Sequence, residues 1–485
     1  MTNISDNFSK YLTKTSSNNT NTITNIINSD NTQSLFSLIE LEHFFTNKMI
    51  KKTFSNLCSI YQSLDNYSML HNRKKFNPTD SFYKEFDVPN NSLLQRGYQL
   101  LDTIDTYHIN ININSIDVKF KVNFYHSNNK TELINRALKR LISFLILNDE
   151  NNIIKTLPRS PKQIEIDIVL VDVGRSSPLT DSDKKAQKEG TYDVSSGFTS
   201  LDSKYMRLTR TPCILNLLVH ELGHLFLYDG KQLIDPKHKK YKFKVLSGQQ
   251  FNLPINMNEI YFFETYCETN TTILSSMFHA IEISTKSLEI DSYNLFKTFF
   301  KYEILYTIYH SAKILYVFGY RSFEDFFDYQ SRKIYSQNAR LFEYTILRSI
   351  LFLYINQYIK LMDVKNDIIQ FRFNDSVFHS TEISSKNSLE DIFVMYIVLF
   401  VNNQLDSEGQ KLRSIYKRLF NHFINVVENT NINTNTYLLT SLGNLNMEYH
   451  CIDLNFNEGT DSDYYHNKYI KYKQKYLLYK NSKYN

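Results

Sequence analysis

The sequence predicts an α+β fold, in which a mixed half built round a small twisted sheet is followed by a mostly α-helical half. Three observations carry that prediction. Apolar residues alternate at Ile116, Val118, Phe120, Val122 and Phe124, and again at Ile164, Ile166, Ile168 and Leu170; this is the period of a strand with one buried face. Between the two runs, Leu133, Ile134, Ala137, Leu138, Leu141, Ile142 and Leu145 fall on one face at helical spacing. From about residue 269 to 428 nearly every segment keeps the helical period, and no sheet signal of comparable strength appears.

The elements follow in order. Residues 15–34 are polar and low in complexity, and are expected to be mobile. Helical spacing of apolar residues from about 35 to 65 predicts a small helical region. The Pro- and Asn-containing stretch 72–91 reads as loop. After the strand at 164–170 comes a polar loop over 175–193, then short strands near 194–198 and 205–208, then a helix within 211–230. Four segments result: a low-complexity then helical region (1–105), a mixed core (106–285), a helical subdomain (286–445) and a Tyr/Lys-rich tail (446–485).

Composition narrows the function classes. With 42% hydrophobic and 22% charged residues over 485, the chain is globular rather than disordered. Its net charge of +5 is accounted for by residues 464–485, which hold six lysines and no acid, so nucleic acid is not an expected partner of the body. Cys58, Cys213, Cys267 and Cys451 form no C-x-x-C pair, which argues against a disulfide framework and for a reducing compartment. The N-terminus lacks a basic-then-apolar pattern, so secretion is not expected. The longest apolar run, Ile392 to Val401, is half the roughly 20 residues a membrane span needs.

The chemistry concentrates in TPCILNLLVHELGHLFLYDG, residues 211–230. Thr211 suits a helix N-cap, Pro212 the first helical position and Gly230 the stop. Within that helix His220, Glu221 and His224 make an H-E-x-x-H motif. Two histidines four apart leave one helical face, so both imidazoles can reach one Zn²⁺ at about 2.0–2.1 Å. Glu221, one residue further round, is placed as a general base for metal-activated water. The longer H-E-x-x-H-x-x-G-x-x-H pattern is absent, since Leu227 and Gly230 stand where its Gly and third His would be. Downstream, Glu264 and Glu268 share a helical face. Glu264 is assigned as third ligand, and Glu268 as the carboxylate that orients an imidazole through its other N–H. Glu259 competes as ligand, and Asp229 and His238 are weaker candidates. Ser196, Gly197 and Phe198 lie on a short strand that could hold an extended peptide by strand addition. No carbonyl-polarising residue stands out; Tyr261 and Tyr266 are near only in sequence.

VSSGFTS, YMRLTRTPCILNLLVHELGHLFLYD and FFETYCETNTTILSSM together resemble the zinc metallopeptidases encoded by nucleocytoplasmic large DNA viruses. NLFKTFF, YHSAKILYVFGYRSFEDFF and QNARLFEYTILRSILF resemble the helical segments that follow the motif in those proteins, so the likeness covers roughly residues 110–440. The resemblance implies a zincin-like core with His220, His224 and Glu264 as zinc ligands and Glu221 as acid/base, and the E-x-x-x-E pair is similar to that of gluzincins. Thr269 and Asn270 depart from the pattern, standing where bulky aromatics are expected. In the tail, Tyr465, Tyr469, Tyr472, Tyr476 and Tyr479 form a helical stripe among lysines, similar to tails on proteins of giant viruses. The expectation is a zinc-dependent metallopeptidase acting on a peptide or protein substrate in host cytoplasm or virion, with a docking partner for the tail. A non-catalytic, zinc-stabilised viral structural or adaptor protein is the alternative.

Overall fold

Three helices open the described chain: α1 (Asp30–Leu38), α2 (Leu41–Thr46) and α3 (Lys48–Ser63). The structure, a computed structural model, describes residues 29–64, 70–86, 93–113, 116–127, 130–148, 163–171, 197–200, 204–209, 211, 214–226, 245–246, 253, 260–285, 291–328, 341–373 and 389–429. Ser29 accepts the Thr32 N–H at 3.3 Å and caps α1, so residues 30–34 of the low-complexity stretch are helical.

Two elements occupy the stretch read as loop: β1 (Leu70–Lys75) and α4 (Asp80–Glu85). β1 is an edge strand of polar and charged residues, which protects the edge and erases the apolar alternation. Thr79 accepts the Phe82 N–H at 3.3 Å and starts α4. After α5 (Leu93–Tyr98) come the long strands β2 (Thr103–Ile113) and β3 (Ile116–His126). The sheet thus reaches back beyond residue 106, where the mixed core was expected to begin. The pattern of β2 is hidden because its fully buried Asp105 takes an inward position. There Arg73 donates twice at 2.7 and 2.8 Å, and His71 and His126 lie 3.0 and 3.1 Å away.

Helix α6 (Thr131–Leu147) crosses from β3 to the parallel β4 (Gln163–Leu170), and β5 (Gly197–Thr199) and β6 (Tyr205–Thr209) complete a six-stranded mixed sheet of order β1-β2-β3-β4-β6-β5. β3, β4 and β6 run parallel, and the flanking pairs are antiparallel. The inward faces of β3 and β4 carry the two predicted alternating runs, in which Phe120, Val122, Phe124, Ile164, Ile166 and Ile168 are buried. The predicted apolar face of α6 is buried as well. Helix α7 (Ile214–Leu225) then packs against α6, β5 and β6 with all twelve residues buried. Ahead of it Thr211 donates its N–H to Val171 O at 2.9 Å, and Pro212, expected at the first helical position, lies outside the described residues.

The short pair β7 (Val245–Leu246) and β8 (Ile260–Tyr261) leads into α8 (Phe262–Ser284), which lies against α7. The C-terminal half is helical: α9 (Ser292–Val317), α10 (Phe323–Phe327), a π-helical turn (Phe342–Leu347), α11 (Arg348–Leu351), a 3₁₀ turn (Phe352–Tyr354) and α12 (Ile355–Ile359). It is interrupted by a hairpin absent from the sequence expectation, β9 (Met362–Lys365) and β10 (Ile368–Phe373). Asn366 and Asp367 turn it with φ of 51° and 65°, the left-handed pair that two-residue hairpins need. Helices α13 (Leu389–Val401) and α14 (Ser407–Asn429) follow. Among the described residues no helix is long and apolar enough to cross a membrane. The Tyr/Lys tail lies outside the described residues.

Candidate metal centre

The centre is made where α7 crosses α8. Gly223 permits the close approach, since a Cβ there would lie 2.9 Å from Cys267 Sγ. The Cys267 thiol donates to the His220 carbonyl at 3.1 Å, pinning the helices together. The same crossing turns Glu264 and Glu268 of α8 towards His220 and His224 of α7. All four are buried, at 6–8% exposure.

The two histidine Nε2 atoms are 3.0 Å apart. Glu264 Oε2 lies 3.2 Å from His224 Nε2 and 3.9 Å from His220 Nε2. Three donors at 2.0–2.1 Å from a tetrahedral ion sit about 3.3 Å from one another, and this triangle brackets that spacing. A second set overlaps it: His220, His224 and Cys267 hold ligand atoms within 4.8 Å of one another, a buried group that could bind a metal ion. Of the two third donors, Glu264 faces both Nε2 atoms, whereas the Cys267 thiol is engaged with α7 backbone. Charge favours a cation as well. Glu221, Glu264 and Glu268 are buried together, and among the described ion pairs one guanidinium, Arg348, meets them at Glu268, so a divalent ion would offset the remaining negative charge.

On the far side of His220, Glu268 Oε1 stands 3.5 Å from Nδ1, and its Oε2 accepts from Arg348 Nη1 at 2.9 Å. Glu221 turns to the sheet, where Thr199 Oγ1 donates to its Oε2 at 2.6 Å. Gly197, on the same face of edge strand β5, lies so close that an added Cβ would come within 2.7 Å of the Glu221 Cδ.

The sequence-predicted residues separate accordingly. His220, Glu221, His224, Glu264 and Glu268 converge. Gly197 meets Glu221, whereas Phe198 points away and is 56% exposed. Ser196, Glu259, Asp229 and His238 lie outside the described residues. Tyr266 is in the core, its ring 4.7 Å from that of Phe373. The unusual Thr269 and Asn270 are both buried; Thr269 donates its hydroxyl to Thr265 O of its own helix at 2.8 Å, and Asn270 donates to Phe371 O of β10 at 3.1 Å and accepts from Tyr358 at 3.0 Å.

Three residues at the centre have no signal in the motif itself. Thr199 would follow from the alternation of β5, which gives it the face of Gly197. Tyr344 and Arg348 come from the π-helical turn and α11, 80 residues beyond Glu264 and Glu268 respectively. The Tyr344 ring lies 6.0 Å from that of His220. Burial, and then the Glu264 carboxylate, push its phenol well above the usual tyrosine range, so it is a proton donor at neutral pH. π-Helical turns recur at functional sites because the extra residue re-aims side chains.

Comparison with protein-family models, with curated proteins and with solved structures finds no match for this chain.

Proposed function

We propose that this chain is a zinc-dependent peptidase of gluzincin type, with His220, His224 and Glu264 as metal ligands and Glu221 as acid/base. The observation that carries the reading is the triangle of two Nε2 atoms and Glu264 Oε2, with sides of 3.0, 3.2 and 3.9 Å. The resemblance of HELGH and ETYCE to viral metallopeptidases agrees with it, and a host-cytoplasmic or virion location follows from that resemblance alone.

When bound, Zn²⁺ supplies a Lewis acid that acidifies water and polarises a carbonyl. The chain's own groups do the rest. Thr199 donates to Glu221 Oε2 and so fixes the carboxylate, which takes a proton from the attacking water and delivers it to the leaving amine nitrogen. Glu268 orients the His220 ring through Nδ1, keeping Nε2 free of its proton. The Tyr344 phenol donates to the carbonyl oxygen as charge develops there. β5, the last strand in the described sheet order, would take an extended substrate alongside it by strand addition.

The test is digestion of a mixed peptide library, with new N-termini read by mass spectrometry. Cleavage is expected to stop with a zinc chelator and return on adding Zn²⁺. Tyr344→Phe should lower kcat by roughly 10²–10³-fold with little change in KM, the usual cost of losing one such donor. Tightly held zinc without cleavage of any peptide would instead make the centre structural.

A further inference from the structure

We infer that Arg348 is a positioning residue of the metal centre, setting its zinc affinity from the helical half through Glu268. The inference rests on the zinc-site reading but not on peptide hydrolysis.

Arg348 is fully buried at the start of α11, directly after the π-helical turn. Its Nη1 donates to Glu268 Oε2 at 2.9 Å and to Thr272 Oγ1 at 3.2 Å. Thr272 in turn donates to the Glu268 carbonyl at 2.8 Å, so one turn of α8 presents carboxylate and hydroxyl together to the guanidinium. With Oε2 held, Glu268 keeps Oε1 facing His220 Nδ1, 3.5 Å away. A carboxylate fixed at Nδ1 holds the N–H there and leaves Nε2 as the donor atom. Glu268 touches no other guanidinium among the described ion pairs, so its rotamer depends on Arg348. The helical half is therefore part of the metal centre rather than an appended module.

The test is zinc affinity of the full-length chain, by competition of Zn²⁺ alone with a chromophoric chelator, beside thermal unfolding of each apo-protein. Changes in the partners behind a metal-bound histidine weaken affinity by about 10–100-fold, and Arg348→Met is expected to show a loss in that range. Glu268→Gln should show a similar loss, and the double variant should lose no more than Glu268→Gln alone, because both act on one ring. Arg348→Lys, whose ammonium can serve both acceptors, should recover most of the affinity. If Arg348→Met does not fold, Arg348→Gln, which keeps a donor without charge, is read the same way. Wild-type affinity in Arg348→Met or Arg348→Gln, or losses that multiply in the double variant, would overturn the inference. No zinc bound even to the wild type would overturn the site reading itself.

Discussion

Glu221→Gln is expected to lower peptide turnover by roughly 10²–10⁴-fold, the usual contribution of a positioned acid/base, while zinc stays bound. The separation follows from geometry. Glu221 leaves α7 one residue on from His220, and its Oε2 is tied to Thr199 at 2.6 Å rather than to the donor triangle. Gln is isosteric and keeps an oxygen for the Thr199 hydroxyl, so β5 and α7 should remain in register. It cannot take a proton from water. Turnover near the wild-type rate would show that another group is the base. Zinc loss in this variant would show that Glu221 holds the metal.

The largest effect on stability is expected at Glu282, 18 residues beyond Glu264 on α8. Its buried carboxylate accepts from Arg140 Nε at 2.7 Å and Arg140 Nη2 at 2.9 Å, from Arg136 Nη2 at 2.5 Å, and from the Tyr61 hydroxyl at 3.3 Å. Arg140 also reaches the Leu215 carbonyl of α7 at 3.4 Å. One carboxylate thus ties α3, α6 and α8 together and, through Arg140, the helix that bears the histidines. Glu282→Ala would leave two buried guanidinium groups uncompensated, at a cost of roughly 3–5 kcal/mol, read from urea unfolding. The pH dependence has a definite sign. Burial alone would raise the Glu282 pKa, but Arg136 and Arg140 overcome it and hold the carboxyl far below its ordinary 4.5. The unfolded chain therefore binds the proton first, and the contribution is complete above about pH 4.5 and fades as pH falls below it. Glu282→Gln should flatten that acid limb, and an unchanged limb would contradict the assignment.

What the sequence makes legible is what is local and periodic. The α7 histidines and the Glu264–Glu268 pair are spaced by one helical turn, so the motif and its ligand helix can be read without a structure. The same holds for the alternation of β3 and β4 and for the buried face of α6. Legibility fails where partners are distant or where a polar residue takes an inward place. Asp105 breaks the pattern of β2 because Arg73, His71 and His126 satisfy it from neighbouring strands. The Asn366–Asp367 turn sits among residues that otherwise read as helical. Tyr344 and Arg348 reach the centre only because the π-helical turn folds back on α8, a relation no spacing encodes. Polar Asn270 makes sense only once Phe371 and Tyr358 are in place.

The central claim is that His220, His224 and Glu264 hold one metal, and zinc content of the purified chain tests it most directly. The account predicts about one zinc per chain, lost in Glu264→Ala and retained in Cys267→Ala and Glu259→Ala. Zinc retained in Glu264→Ala and lost in Cys267→Ala would transfer the third position to the thiol, and a wild-type chain without zinc would contradict the account.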